Sequence, residues 1–240
     1  MTAKERPVLD RQSLSSGAFL DAFKDTPGIE WWSEARIDAS MRQMLATRRQ
    51  GEPVWLFAYG SLIWNPVFEF DESQLATLDG WQRSFCIRLV LARGSLEQPG
   101  RMLALEPGHN TSGVALRLRE KDLHQELRMV WMREMVGGVY TPQWSPITLG
   151  DGSRARAIIF TANRNNPLYE EEASPDAVAP LIAVARGSLG SNRDYVLQLD
   201  QALRQHGISD DYINALVQRL ALPHNTVTQR ASERISMPPE

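Results

Sequence analysis

The chain has 240 residues, with 26 lysines and arginines against 29 aspartates and glutamates, for a net charge of −3 with histidines neutral. At about 150 residues per domain this length does not force a second domain, and the absence of a long basic block with interleaved aromatics disfavours nucleic-acid binding. No stretch approaches the ~18 apolar residues of a membrane span and no early segment has the make-up of a signal peptide, so a soluble cytoplasmic protein is expected.

Residues 1–50 read as an accessory region. Ser16-Gly17-Ala18-Phe19-Leu20 with Ala22-Phe23 suggests a short helix, and Asp38 to Arg48 a second. Arg48-Arg49-Gln50-Gly51-Glu52-Pro53 breaks the pattern and reads as a linker. A domain over residues 51–222 and a polar tail over 223–240 follow.

The core opens on Val54-Trp55-Leu56-Phe57-Ala58-Tyr59-Gly60-Ser61-Leu62-Ile63-Trp64. Trp55, Phe57 and Tyr59 alternate with Val54, Leu56 and Ala58, which predicts a strand covered on both faces. It breaks at Gly60-Ser61. Gly60 admits turns closed to other residues and lets a ligand lie against the peptide groups, and consecutive N–H groups there can cradle a carboxylate. An ordinary strand-ending turn is the competing reading. Ser61 lacks the Gly-x-Ser-x-Gly elbow of a nucleophilic serine.

Further strands are expected over 81–92, 101–106, 112–119, 144–149 and 154–161, with Asp151-Gly152 as a hairpin turn between the last two. Cys86, the one cysteine, lies in Phe85-Cys86-Ile87 and reads as a buried thiol rather than a nucleophile. The four histidines, His109, His124, His206 and His224, show no metal-ligand spacing.

A helix is predicted from about Glu120 to Met135. Leu123, Leu127, Val130 and Trp131 form its core-facing stripe, and the next position on that stripe is Glu134. Gly137-Gly138 stops the helix soon after, so this acid also sits in the last turn, against the negative dipole end. Burial and dipole both push its pKa upward, toward the range of a general base or acid. A core-edge glutamate paired with an arginine is the alternative. The remainder reads as helical: Ser174-Pro175 is a cap and first-turn proline, and Pro180 is expected to kink or delay that helix. Two more helices follow, from Arg193 to His206 and from Asp210 to Leu220. Gly187-Ser188-Leu189-Gly190-Ser191-Asn192 reads as a turn with Ser191 or Asn192 as cap, an anion-holding loop being the alternative. Strands around one helix, followed by a helical end, give an α+β chain with a mixed or antiparallel sheet.

With these segments in hand, the chain resembles the ChaC family of glutathione-specific γ-glutamylcyclotransferases from about Val54 to Leu222. The resemblance rests on Phe57 to Trp64, on Arg83-Ser84-Phe85, on Arg93-Gly94 with Pro99-Gly100-Arg101, and on Arg133-Glu134 with Gly137-Gly138 and Tyr140. It extends to Asn166-Pro167 with Tyr169 and to Gly190-Ser191-Asn192 with Tyr195. It implies a compact mixed β-barrel with flanking helices, the γ-glutamylcyclotransferase-like fold. It also implies a reaction without metal or organic cofactor, in which glutathione is cut to 5-oxoproline and cysteinylglycine. Glu134 falls on the family's catalytic glutamate, Ala58, Tyr59, Gly60, Ser61, Leu62 and Ile63 on its substrate-binding loop, and Tyr195 on a tyrosine near the substrate. Ala58 replaces a glycine of many members. Met135-Val136 stands where eukaryotic relatives commonly have a single lysine, and the extra residue is expected to shift the Gly-Gly turn. The alternatives are a cyclotransferase for other γ-glutamyl amides and a non-catalytic γ-glutamyl-binding module. The oligomeric state is not fixed by the sequence.

Overall fold

The computed structural model describes residues 9–222 except 22, 23, 25 and 28; the expectations for Ala22, Phe23 and the 223–240 tail lie outside the described residues. Strand β1 (Trp55–Ala58) is buried at all four positions, as its alternating aromatic and aliphatic residues require. It pairs antiparallel with β3 (Gly100–Leu118) and parallel with β5 (Arg154–Ala162). With β2 (Phe70–Leu89) and β4 (Tyr140–Leu149), these strands close a barrel in the order β1-β3-β2-β4-β5.

The β2–β3 ribbon is longer than the sequence pattern suggests. Residues 70–80 already belong to β2, and Pro107-Gly108 lies inside β3, with Pro107 opposite Trp81. Register shifts at Phe70/Glu72, Asp79/Trp81 and Ser84/Ile87 bend the ribbon. Such bulges accommodate turn-like residues without ending the ladder. Cys86 is fully buried and its thiol is pushed up to about 12, burial being the largest cause. The turn between β4 and β5 is built as expected: Gly152 has φ +85°, and the Asp151 carboxylate accepts from the Ser153 N–H at 2.8 Å.

After a 3-10 turn at Glu120–Asp122, helix α4 (Leu123–Glu134) buries Leu123, Leu127, Val130 and Trp131. Trp131 meets Phe160 of β5 edge-on at 5.3 Å, so the stripe packs against the barrel. The helical end comprises α5 (Pro175–Val184), α6 (Asn192–Gln205) and α7 (Asp211–Ala221), capped by Ser174, Ser191 and Asp210. Each cap accepts a backbone N–H of the first turn and so satisfies a donor with no partner in the helix. Helix α5 starts on its cap without delay and continues through Pro180. Between α5 and α6, β6 (Arg186–Gly187) and β7 (Gly190–Ser191) form a two-residue hairpin.

Preceding the barrel are α1 (Arg11–Ser15), α2 (Ala18–Asp21) and α3 (Glu34–Ala46). This segment is tied to the core. Arg11 donates to both Glu126 carboxylate oxygens at 2.6 and 2.5 Å, and Glu126 also accepts the Glu69 N–H at 2.8 Å. Arg128 of α4 bridges to Asp38 and Glu34 of α3 at 2.8 and 2.7 Å. Leu14, Ile37, Met41 and Met44 are buried beneath. Among the described residues no helix is long and apolar enough to cross a membrane.

Candidate active site

The turn that ends β1 is a single 3-10 turn at Ser61–Ile63. The Ile63 N–H donates to the Gly60 carbonyl at 3.0 Å and the Asn65 N–H to the Ser61 carbonyl at 2.9 Å. The amides of Ser61 and Leu62, in the first turn, have no acceptor within it. Gly60 has φ −132°, so the expectation that it opens a conformation closed to other residues is not met. What it provides is room: a Cβ there would lie 3.1 Å from Tyr195 Oη and 3.2 Å from Leu103 Cδ2. The preceding carbonyl, that of Tyr59, is held at 2.8 Å by Arg83 Nε. The other nitrogens of the Arg83 guanidinium, whose side chain is wholly buried, donate to Asp210 and to the Ser112 carbonyl, each at 2.7 Å.

Glu134 is the last residue of α4, and its side chain is only 14% exposed. The Arg133 Nε lies 3.0 Å from Glu134 Oε1, while Arg133 Nη2 donates to Ser61 Oγ and Nη1 to the Asn65 carbonyl, both at 2.6 Å. The arginine pairing considered as an alternative for Glu134 is therefore present, supplied by its own sequence neighbour. Burial nevertheless raises the Glu134 pKa above its ordinary value, with Arg133 opposing. A carboxylate in this state holds and releases a proton nearer neutrality than a solvated one.

Ser61, Glu134 and Tyr195 share the wall of a cavity of about 190 Å³. Tyr195 is fixed by edge contacts with Trp64 at 5.5 Å and Phe85 at 6.1 Å, with the Arg93 guanidinium 5.7 Å from its ring centre. Its hydroxyl hydrogen-bonds Ser61. The other five predicted residues lie behind the wall or beside it. Ala58 and Leu62 are buried, and the buried Tyr59 hydroxyl donates to the Phe160 carbonyl at 2.7 Å. Gly60 and Ile63 belong to the turn itself, joined by the Ile63 N–H to Gly60 carbonyl hydrogen bond.

Three groups around the cavity were given no place in the site by the sequence reading. Arg133 is one; its signal was its place beside a misplaced acid. Arg88 and Arg101 are the second, facing residues of β2 and β3 that both line the cavity. The third comes from the region read as accessory: Leu9, Phe19, Ile29 and Trp31 supply the apolar side of the wall. Trp32 anchors this segment, its N–H donating to the Val136 carbonyl at 2.9 Å. The extra residue between Glu134 and Gly137 thus serves as a docking point. Among the described residues no group of three histidine, cysteine or acidic side chains is placed to hold a metal ion.

The family model of ChaC-like proteins matches residues 54–221. A glutathione-specific γ-glutamylcyclotransferase of Escherichia coli K12 is 48% identical over 210 residues, covering 88% of this chain and 91% of the relative. A human glutathione-specific γ-glutamylcyclotransferase 1 is 31% identical, covering 71% of this chain and 80% of the relative. The fold is similar to a crystal structure of a glutathione-specific γ-glutamyl cyclotransferase from yeast, with a TM-score of 0.62 at 22% identity, over 71% of this chain and 96% of the yeast one.

Proposed function

The chain belongs to the ChaC-like family, and on that premise we propose that it cleaves glutathione in the cytoplasm to 5-oxoproline and cysteinylglycine, with Glu134 moving the protons. The observation that carries this reading is the buried Glu134 carboxylate, with its raised pKa, on the same cavity wall as Ser61 and Tyr195. Residues 51–222 constitute the catalytic unit in this reading, with 1–50 as its accessory region and 223–240 as a tail.

The substrate supplies its own nucleophile. Its α-amine attacks its γ-carbonyl, a carbon–nitrogen bond forms to close a five-membered ring, and the bond to the cysteinyl nitrogen breaks. Holding the glutamyl arm in attack geometry draws on a proximity effect of up to about 7–11 kcal/mol in favourable intramolecular reactions. Within the turn at residues 59–63 the α-carboxylate is held at the amides of Ser61 and Leu62, which have no acceptor in the turn, the Ser61 amide giving up its contact with the Tyr195 hydroxyl to do so. Glu134 takes a proton from the α-ammonium, which is otherwise not nucleophilic, and delivers it to the departing amine; the second proton that the attacking nitrogen sheds on becoming a lactam N–H ends on that amine as its ammonium form or in solvent. A carboxylate with a raised pKa suits both transfers. Arg133 and Tyr195 position Ser61 and Glu134 around the reacting atoms.

Incubating the purified protein with glutathione and measuring 5-oxoproline tests the activity, and Glu134→Gln tests the role. The variant keeps the shape of the side chain and removes the base, so turnover falls about 10²–10⁴-fold. Wild-type turnover in a folded Glu134→Gln protein would refute the assignment.

A further inference from the structure

Among the described residues four arginines line the cavity, and they differ in what they are committed to. Arg133 is occupied by Glu134, Ser61 and Asn65. Arg93 donates to the Ser191 carbonyl at 3.1 Å and lies against the Tyr195 ring. Arg88 and Arg101 face each other directly across the β2–β3 ladder. Like charges in that register repel, and burial together with the Arg88 charge lowers the Arg101 pKa. Arg101 Nε is buried with no hydrogen-bond partner, and its side chain is 11% exposed. Its nearest acid, Glu170, is 3.9 Å away and more than a third exposed, and Nη1 reaches only the Gly100 carbonyl, at 3.3 Å. Among the described residues the exposed Arg88 side chain has no hydrogen-bond or ion-pair partner.

Arg101 is nonetheless held firmly in place. The buried Asn192 carboxamide accepts its N–H at 2.7 Å and donates to its carbonyl at 3.0 Å. Gly100 makes that clamp possible, since a Cβ there would overlap the Asn192 side chain. A fixed backbone, a repelling pair of guanidinium groups and an unpaired buried N–H together describe a receptor awaiting an anion. Arginine forks match carboxylate geometry.

We propose that Arg88 and Arg101 bind the distal, glycyl carboxylate of the substrate, the one that departs with cysteinylglycine. This rests on the glutathione reading above and deepens it: γ-glutamyl amides with no second carboxylate leave the pair unsatisfied, which selects a γ-glutamyl peptide over a γ-glutamyl amine.

The test compares glutathione with glutathione whose glycine carboxylate is a primary amide, by kcat/KM for 5-oxoproline release from the full chain. Wild type prefers the acid by about tenfold to a hundredfold, the range of a charge-assisted hydrogen bond, and mainly through KM. Arg88→Gln and Arg101→Gln each bring that preference toward one. Arg88 is exposed, so its variant keeps the test decisive if Arg101→Gln does not fold. Indifference of the wild type to the amide overturns the proposal. So does an equal loss on both substrates in the variants, which would place the pair on the glutamyl carboxylate or in a structural role. Failure of the wild type to turn over either compound removes the cyclotransferase reading and this inference together, an outcome distinct from turnover without preference.

Discussion

Arg133 and Glu134, adjacent in sequence at the end of α4, form an ion pair of 3.0 Å, and the same guanidinium reaches across to Ser61 in the turn after β1. One side chain therefore couples the two segments that the sequence singles out, 72 positions apart. Burial raises the Glu134 pKa and Arg133 lowers it, so the observed state is a balance between them.

Removing the lowering partner shifts that balance in one direction. In Arg133→Met the Glu134 pKa rises further, and less of the base form exists at a given acidic pH. The acidic limb of the kcat/KM profile accordingly moves to higher pH. An unmoved limb in a folded, active variant would show that Glu134 does not control it.

Ser61 is predicted to matter less than Glu134. Its hydroxyl accepts from Arg133 and pairs with Tyr195, and among the described residues no histidine lines the cavity to activate it. Ser61→Ala removes one hydrogen bond to a charged group, for a loss of about tenfold in kcat/KM, against the 10²–10⁴ expected for Glu134→Gln. Complete loss in both would make Ser61 a candidate nucleophile despite the missing elbow, and trapping of a covalent γ-glutamyl enzyme would be the decisive measurement.

Glu134 also has a signature in stability that needs no substrate. A carboxyl group whose folded pKa is raised above its unfolded value binds its proton more tightly when folded. Its contribution is fully present below the unfolded pKa and is lost as pH rises through the folded one. Glu134→Gln cannot ionise, so the variant gains stability relative to wild type as pH increases through that window. Denaturant midpoints of the two proteins, measured in parallel across pH, read the difference; a difference that is flat, or that changes in the opposite sense, would place Glu134 in a solvated or fully compensated environment.

Gly137 and Gly138 look equivalent in sequence and are not. Gly138 has φ +60°, and a Cβ there would lie 2.6 Å from Trp32 Nε1, whereas one at Gly137 meets only Ile29 and Val139 at 3.7 Å. Gly138→Ala therefore costs about 1–2 kcal/mol from the left-handed backbone alone and also displaces Trp32. Gly137→Ala meets only ordinary contacts. Equal thermal midpoints for the two variants would contradict this asymmetry.

How much was legible follows from the range of each signal. The buried β1, the α4 stripe with its intruding glutamate, and the Asp151-Gly152 turn are local patterns, and each appears in the structure where the residues place it. The β2–β3 ribbon was cut short because 70–80 alternates at an exposed surface, and Pro107-Gly108 has the chemistry of a turn. The partners Arg88 and Arg101, and the wall formed by Leu9, Phe19, Ile29 and Trp31, depend on strand register and on long-range docking. Neither leaves a periodic trace in a single sequence. Arg133 was visible but was read only as a possible neutraliser of Glu134, since its reach to Ser61 exists only once α4 lies beside the turn.

The docking of the N-terminal segment yields a final prediction. Glu126 is 3% exposed and held by Arg11, whose own side chain is 40% exposed. Removing Arg11 leaves a buried carboxylate with the Glu69 N–H as its remaining donor. Breaking a buried pair costs about 3–5 kcal/mol, and the exposure of Arg11 reduces this through solvent screening to about 1–2 kcal/mol. The hydrogen bond from Arg11 lowers the Glu126 pKa more than any other contact, so its stabilisation is present above the unfolded pKa and is lost as pH falls through the folded one. Arg11→Ala should therefore be less stable than wild type near neutrality, with the gap closing on acidification. Because Leu9 precedes Arg11 by two residues and lines the cavity, the variant should also show a raised KM for glutathione with less change in kcat. An unchanged KM, together with the predicted loss of stability, would confine the segment to a structural role.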